Sequence, residues 1–176
     1  SFTFPFLWRT KGQNLKQFLL SGNPVESIWS TTSCSSYAHR QGGNLPTRCG
    51  ICSGCLYTRV CLHAAGVREP DGHFIWQDLA ARSVSASAER TGAVTQPGHK
   101  DMAHRAVVNL ASAAGVRGKD LSALWVRDLQ HATQVSEVRA KVGELFGNFA
   151  SEWDAFINHL PDSSWVARLA SETRSP

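Results

Sequence analysis

Three thiols stand at C-x2-C-x2-C spacing in Cys49-Gly50-Ile51-Cys52-Ser53-Gly54-Cys55, and a fourth, Cys34, lies upstream in Ser33-Cys34-Ser35-Ser36-Tyr37. Four thiolates complete the tetrahedral shell of a zinc ion and leave no position open for water. Two residues between ligands let a tight turn aim both sulfurs at one point, and Gly50 and Gly54 suit the bends such a turn needs. Cysteines two residues apart are awkward to join to one another but natural around one metal. Cys34, Cys49, Cys52 and Cys55 are therefore read as the ligands of a closed structural zinc site. The alternative is a set of buried or disulfide-bonded cysteines. A redox-silent shell of four thiolates favours zinc over iron.

The surrounding pattern indicates which elements position these sulfurs. A helix is expected from Cys52 to about Ala65, stopped by Gly66. It carries Arg59 one turn past Cys55, near the metal end. In the same helix Cys61 reads as a small core residue rather than a fifth ligand, and His63 as a favourable cation at the helix end. The fourteen residues between Cys34 and Cys49 include Gly42-Gly43 and read as a surface loop whose ends the metal joins. Tyr37, His39 and Arg40 are its solvated side chains, with ligand contact as the alternative. Upstream, Phe2, Phe4, Phe6 and Trp8 alternate like a half-buried edge strand interrupted by Pro5. Thr10 then looks like the N-cap of a helix bearing Leu15, Phe18 and Leu19, closed by Ser21-Gly22-Asn23-Pro24. Lys11 in its first turn opposes the helix dipole. That placement makes sense if the helix N-terminus and Lys11 meet an anion together; spacing alone leaves Lys11 a solvated lysine.

Farther along, a turn at Glu69-Pro70-Asp71-Gly72 precedes His73-Phe74-Ile75-Trp76 and a short helix to about Arg82. Small residues from Ser83 to Gly98 suggest a connector. Beyond it the pattern is helical: Met102 to Ala114, a segment capped by Asp120, Val135 to Phe149, a piece capped by Ser151, and a last helix from Ser163-Ser164-Trp165. The expected organisation is thus a zinc-binding region over 1–82, a connector over 83–98 and a helical extension over 99–176. The fold class is mainly α around a four-cysteine loop and helix.

The net charge of +4 is uneven. Residues through Pro70 carry seven Lys/Arg against two Asp/Glu, whereas the remainder carries eleven against twelve. A basic metal-bearing region suits phosphate groups. No basic run or basic helix face supports nucleic acid as the partner. No apolar run approaches the ~20 residues of a membrane helix. Without a signal peptide or an initiator Met, and with thiols disposed as ligands, the expectation is a soluble, cytoplasmic, truncated or processed protein.

The wording Trp29-Ser30-Thr31-Thr32-Ser33-Cys34, Arg48-Cys49-Gly50-Ile51-Cys52-Ser53-Gly54-Cys55, Thr58-Arg59 and His63-Ala64-Ala65-Gly66 resembles the C-terminal part of 7-cyano-7-deazaguanine synthase, the QueC family. Pro5-Phe6-Leu7-Trp8-Arg9-Thr10-Lys11-Gly12 looks like that family's "P…TK" segment. The longer gap after Cys34 and the "CLxxR…HAAG" wording are closer to divergent members of bacterial anti-phage islands, the QatC type. The likeness covers roughly residues 4 to 80.

It implies the C-terminal part of an α/β enzyme, Rossmann-like and of the PP-loop ATPase type, whose nucleotide-binding half is absent here. Thr10 and Lys11 would line the nucleotide and substrate pocket. Lys11 and Arg59 would serve the reaction, although Thr58 stands where the ordinary family arginine falls. The implied chemistry adenylates a 7-deazaguanine carboxylate with ATP and Mg2+, then forms an amide and a nitrile, or in defence members attaches the base to a partner protein. The family's "SGGxDS" phosphate loop does not occur in these residues. That half is expected upstream or on another chain. The competing expectation is a zinc-stabilised module that holds a protein or nucleic acid without chemistry.

Overall fold

The computed structural model describes residues 6–30, 34, 48–116 and 135–174. Among them are α1 (Lys11–Leu20), a one-turn α2 (Glu26–Trp29), α3 (Ser53–Ala64), a 3₁₀ turn (Ala86–Thr91), α4 (Pro97–Gly115), α5 (Val135–His159) and α6 (Trp165–Arg174). The only β pairing among the described residues is a single parallel bridge between Arg48 and Phe74. The architecture is mainly helical, as expected. The Asp120-capped segment lies outside the described residues, as do Phe2, Phe4, Tyr37, His39 and Arg40.

Local chemistry sets the helix ends. Thr10 caps α1 through a reciprocal pair: its hydroxyl accepts from Gln13 N at 3.0 Å, and the Gln13 side chain accepts from Thr10 N at 3.0 Å. At the end of α3, Val67 N donates to Leu62 O and Gly66 N to His63 O, with Gly66 at φ 71°. That is a Schellman closure, and it needs the left-handed conformation glycine adopts without cost. Ser164 caps α6 by accepting from Val166 N and Ala167 N, and ties it to the preceding loop by donating to Leu79 O at 2.7 Å.

α3 is the central element, packed against α1, α4 and α5, while α4 also packs on α5 and α6. Leu56 and Val60 of α3 meet Ala103, Ala106 and Val107 of α4 and Trp153 of α5 in one buried cluster. The alanines let the helices approach closely, and Trp153 and Trp76 fill the larger spaces between them.

Several expectations change. Phe6–Arg9 is a turn closed by Arg9 N to Phe6 O at 3.2 Å, not a strand. No helix forms between Trp76 and Arg82; Asp78 instead accepts from Ala80 N within a run of turns. The two helices expected either side of Ser151 are one 25-residue helix, α5. Ser151 Oγ donates to Gly147 O at 3.0 Å, a back-bond that a mid-helix serine can make as readily as a cap. The small-residue stretch 83–98 is exposed over most of its length but anchored at its centre. Ser87 and Ala88 are buried, Trp165 Nε1 donates to Ser87 Oγ at 2.8 Å, and the core continues through the stretch.

An acidic side chain of the protein itself lies beside the α1 N-terminus. Glu152 of α5 accepts the Thr10 hydroxyl through Oε1, and a Cβ on Gly12 would lie 2.7 Å from that oxygen. A larger residue here would push the Glu152 carboxyl aside. Burial raises the Glu152 pKa, and the hydrogen bonds from Thr10 and Gln13 oppose the rise without cancelling it. A carboxyl whose folded pKa lies above its unfolded value stabilises most when protonated, and loses that contribution as pH rises through the folded value. Glu152→Gln keeps an acceptor for Thr10 without a buried charge. We expect it to match or exceed the parent's stability at neutral pH and to lose that advantage as pH falls through the carboxylate range. Urea unfolding at several pH values checks this; a variant clearly weaker at pH 7 would show that the hydrogen bond and helix dipole dominate.

Candidate metal centre

The site is built on a short pairing. Arg48 N donates to His73 O at 3.2 Å, Ile75 N to Arg48 O at 2.9 Å and Trp76 N to Cys49 O at 3.0 Å. This aligns the chain entering the cysteine motif with residues 73–76. Gly50 then turns at φ 91°, where an added Cβ would fall 2.7 Å from Trp76 O. Both the conformation and the close approach exclude a side chain. Gly54, by contrast, lies in the first turn of α3 and has no positive φ, so the bend attributed to it is not there.

The turn delivers the sulfurs. Cys49 Sγ accepts from Cys52 N and Cys52 Sγ from Cys55 N, each at 3.4 Å. The second bond makes a metal-ligating side chain the N-cap of α3. Cys34 joins from the other side, and the sulfurs of Cys34, Cys49, Cys52 and Cys55 all lie within 4.8 Å of one another. Cys49 and Cys55 sulfurs are 3.7 Å apart, and bonds of ~2.3 Å in a tetrahedron place sulfurs about 3.8 Å apart. A disulfide requires about 2.05 Å, and all five cysteines are free. The four expected ligands converge as a group that can hold a metal ion. Cys61 is fully buried in α3 outside that group, as a core residue.

The electrostatics favour a cation at the centre. Cys49, Cys52 and Cys55 are essentially excluded from solvent. Hydrogen bonding to Cys49 holds Cys34 down at about 6, while hydrogen bonding with Cys34 first and Cys52 among the others pushes Cys49 and Cys55 up. Without a cation, close sulfurs resist ionising together; a divalent ion removes that resistance. The N-terminus of α3, the positive end of its dipole, lies at the same sulfurs, with Cys55 N donating to Cys52 Sγ. Arg48 supplies further positive charge. Its guanidinium is buried, Nη2 donates to Ile28 O at 3.4 Å, and thiolates at Cys55 and Cys34 oppose the fall that burial imposes on its pKa. Sequence reasoning gave Arg48 no role; its position beside Cys49 was the available signal.

Arg59 and Lys11 are not brought together. Arg59 is 4% exposed and makes five bonds within the chain. Nε and Nη2 grip Glu69 at 2.8 and 2.6 Å, and the remaining bonds go to the carbonyls of Gly50, Trp76 and Gln77. The guanidinium also lies 4.6 Å from the Phe74 ring centre. It clamps the cysteine turn to residues 74–77. Thr58, one residue earlier and so rotated about the helix, faces the other way. Its hydroxyl donates to Gly54 O at 2.8 Å and accepts from Lys11 Nζ at 3.4 Å. Lys11 is exposed and lines a cleft of about 190 Å³ with Thr58, Ser27, Phe18 and Cys61. Thr10 is buried and committed to its cap and to Glu152, outside that cleft's lining. Glu69 was missed because it follows the helix-ending glycine with no periodicity linking it to Arg59.

Comparison of the chain with protein-family models, with curated proteins and with solved structures finds no match.

Removing the metal should unfold the region around the cysteines rather than merely empty a pocket. Cys52→Ser, or a strong chelator, is expected to lower helical circular dichroism and release one ion per chain. A folded, metal-free Cys52→Ser protein would contradict this. Arg59→Ala leaves the Glu69 carboxylate and the carbonyls without their partner and should cost about 3–5 kcal/mol in chemical unfolding; a loss under 1 kcal/mol would contradict the clamp.

Proposed function

We propose that this chain is the zinc-organised portion of a QueC-like ATP-dependent ligase acting on a 7-deazaguanine carboxylate, in the manner of anti-phage defence members. The supporting observation is the convergence of four sulfurs at the head of α3, whose flank carries Thr58 to within 3.4 Å of Lys11. Zinc suits that donor set because four thiolates close its shell. The ion therefore organises the polypeptide and takes no part in bond making.

In this reading the α/β, Rossmann-like nucleotide-binding half brings ATP and Mg2+, whether from the same protein or another chain. A carboxylate oxygen of the deazaguanine attacks the α-phosphorus of ATP, pyrophosphate leaves, and an acyl-adenylate forms. An amine then displaces AMP, either ammonia on the way to a nitrile or an amino group of a partner protein. The Lys11 ammonium, at the mouth of its cleft, offsets negative charge on the carboxylate and phosphate as they approach. Arg59 acts one step removed, by holding the turn from which α3 starts.

A second reading is a module that binds a partner without chemistry. It is favoured by the exposed Phe18 and Leu20 on α1, at 37% and 74%. Residues 1–176 alone are expected neither to hydrolyse ATP nor to form a nitrile. Combined with the nucleotide-binding half, they should release pyrophosphate only when the carboxylate is present, and Lys11→Ala should slow that release about 100-fold. Turnover by the chain alone, or full activity in Lys11→Ala, would overturn the ligase reading as stated. Absence of carboxylate binding in the combined system would favour the module.

A further inference from the structure

We propose a second metal site, open rather than closed, in which His63 and His159 hold a borderline divalent ion such as nickel between the C-terminal ends of α3 and α5. The two imidazoles have ring centres 5.0 Å apart at a tilt of 39°. Two imidazoles bonded to one ion at ~2.0–2.1 Å and tetrahedral angles place their ring centres about 5 Å apart. The observed separation matches that spacing. His63 is the penultimate residue of α3 and His159 the last of α5. Each imidazole therefore sits at the negative pole of its helix, which favours a cation.

The surroundings supply room and a balanced charge. A cavity of about 300 Å³ is lined by both histidines together with Arg59, Arg68, Glu69 and Asp78. Arg59 is held by Glu69 at 2.6 Å, and Arg68 and Asp78 are of opposite sign, so the side chains place no net positive charge in the path of the ion. His63 Nδ1 is buried with no hydrogen-bond partner. A buried imidazole nitrogen in that state is an unmet polar group that metal or water would satisfy. Phe156 lies edge-on to the His63 ring with centres 5.8 Å apart, which limits the ring's freedom.

His63 was expected to be a cation at the helix end. Burial, and then the neighbouring His159, instead lower its pKa, with Glu69 opposing. That shift favours the neutral form, which has the lone pair a metal needs. Imidazole nitrogen suits nickel, copper and zinc, whereas the four-thiolate centre selects zinc. Two protein ligands leave coordination positions for water or an added donor.

The test uses the untagged full chain, saturated with zinc at the cysteines and dialysed free of excess. Nickel chloride is titrated in and followed by calorimetry, by imidazole resonances in NMR and by absorbance. The expected result is one nickel per chain, broadening of the His63 and His159 resonances, unchanged zinc content and no thiolate-to-nickel absorption band. His159→Gln and His63→Gln should each lose saturable binding. His159 is exposed, so its substitution leaves the core intact and circular dichroism should match the parent. The proposal is overturned if the parent takes up no nickel, if His159→Gln binds it as the parent does, or if nickel enters only by displacing zinc and producing the thiolate band.

Discussion

Four sulfurs brought within 4.8 Å of one another inside a protein repel as thiolates and hydrogen-bond poorly as thiols. A cation at their centre resolves both difficulties, and the structure is organised as though around it. The bridge between Arg48 and Phe74 fixes where the chain enters the turn. Gly50 takes the one conformation that passes under Trp76. The first turn of α3 presents its amides to the sulfurs, and α3 then carries that placement into its contacts with α1, α4 and α5. Misplacing the centre would displace the helix on which most of the core is assembled.

The charges are arranged in layers around that centre. A divalent ion with four thiolates carries a net charge of about −2, too much to bury without compensation. Arg48 and the α3 N-terminus lie against it. Arg59 stands farther out, and its own charge is met by Glu69, so it contributes shape more than potential. Five directed donors suit this work: a planar guanidinium reaches a carboxylate and several carbonyls at once, whereas a lysine ammonium offers a single point charge. The same reasoning separates Lys11 from Arg59. Lys11 stays exposed at the end of a helix, where an ammonium can turn toward an incoming anion.

The cysteine spacing made the metal group legible because the geometry is local: three ligands, one capped helix and one glycine turn lie within a short span. Thr10 as a cap and Gly66 as a helix end were legible for the same reason. What could not be read depended on contacts between distant segments. Nothing near Arg59 announces Glu69, and nothing near Gly12 announces Glu152, which lies more than a hundred residues away yet packs beside the start of α1. Ser151 shows the opposite hazard. A serine before an apolar run signals a cap only when the preceding residues are not already helical, and here they are. The small residues of 83–98 suggested a connector for want of bulk, but packing space, not side-chain size, decides whether a segment is held.

In the proposed zinc centre, four thiolates would leave no coordination position free to activate water or polarise a substrate. Under that proposal, chemistry would arise on the surfaces the centre positions. α3 divides those surfaces. One face holds Thr58 and Lys11 in a narrow cleft, while the other holds Arg59 and His63 beside the end of α5. Residues one apart on a helix point about 100° away from each other, so a single ligand cannot engage Thr58 and Arg59 along the same approach. The first face presents an exposed ammonium, Lys11, to an incoming anion. The second is already neutralised by Glu69 and bordered by a neutral imidazole, a setting suited to a metal cation rather than to a phosphate.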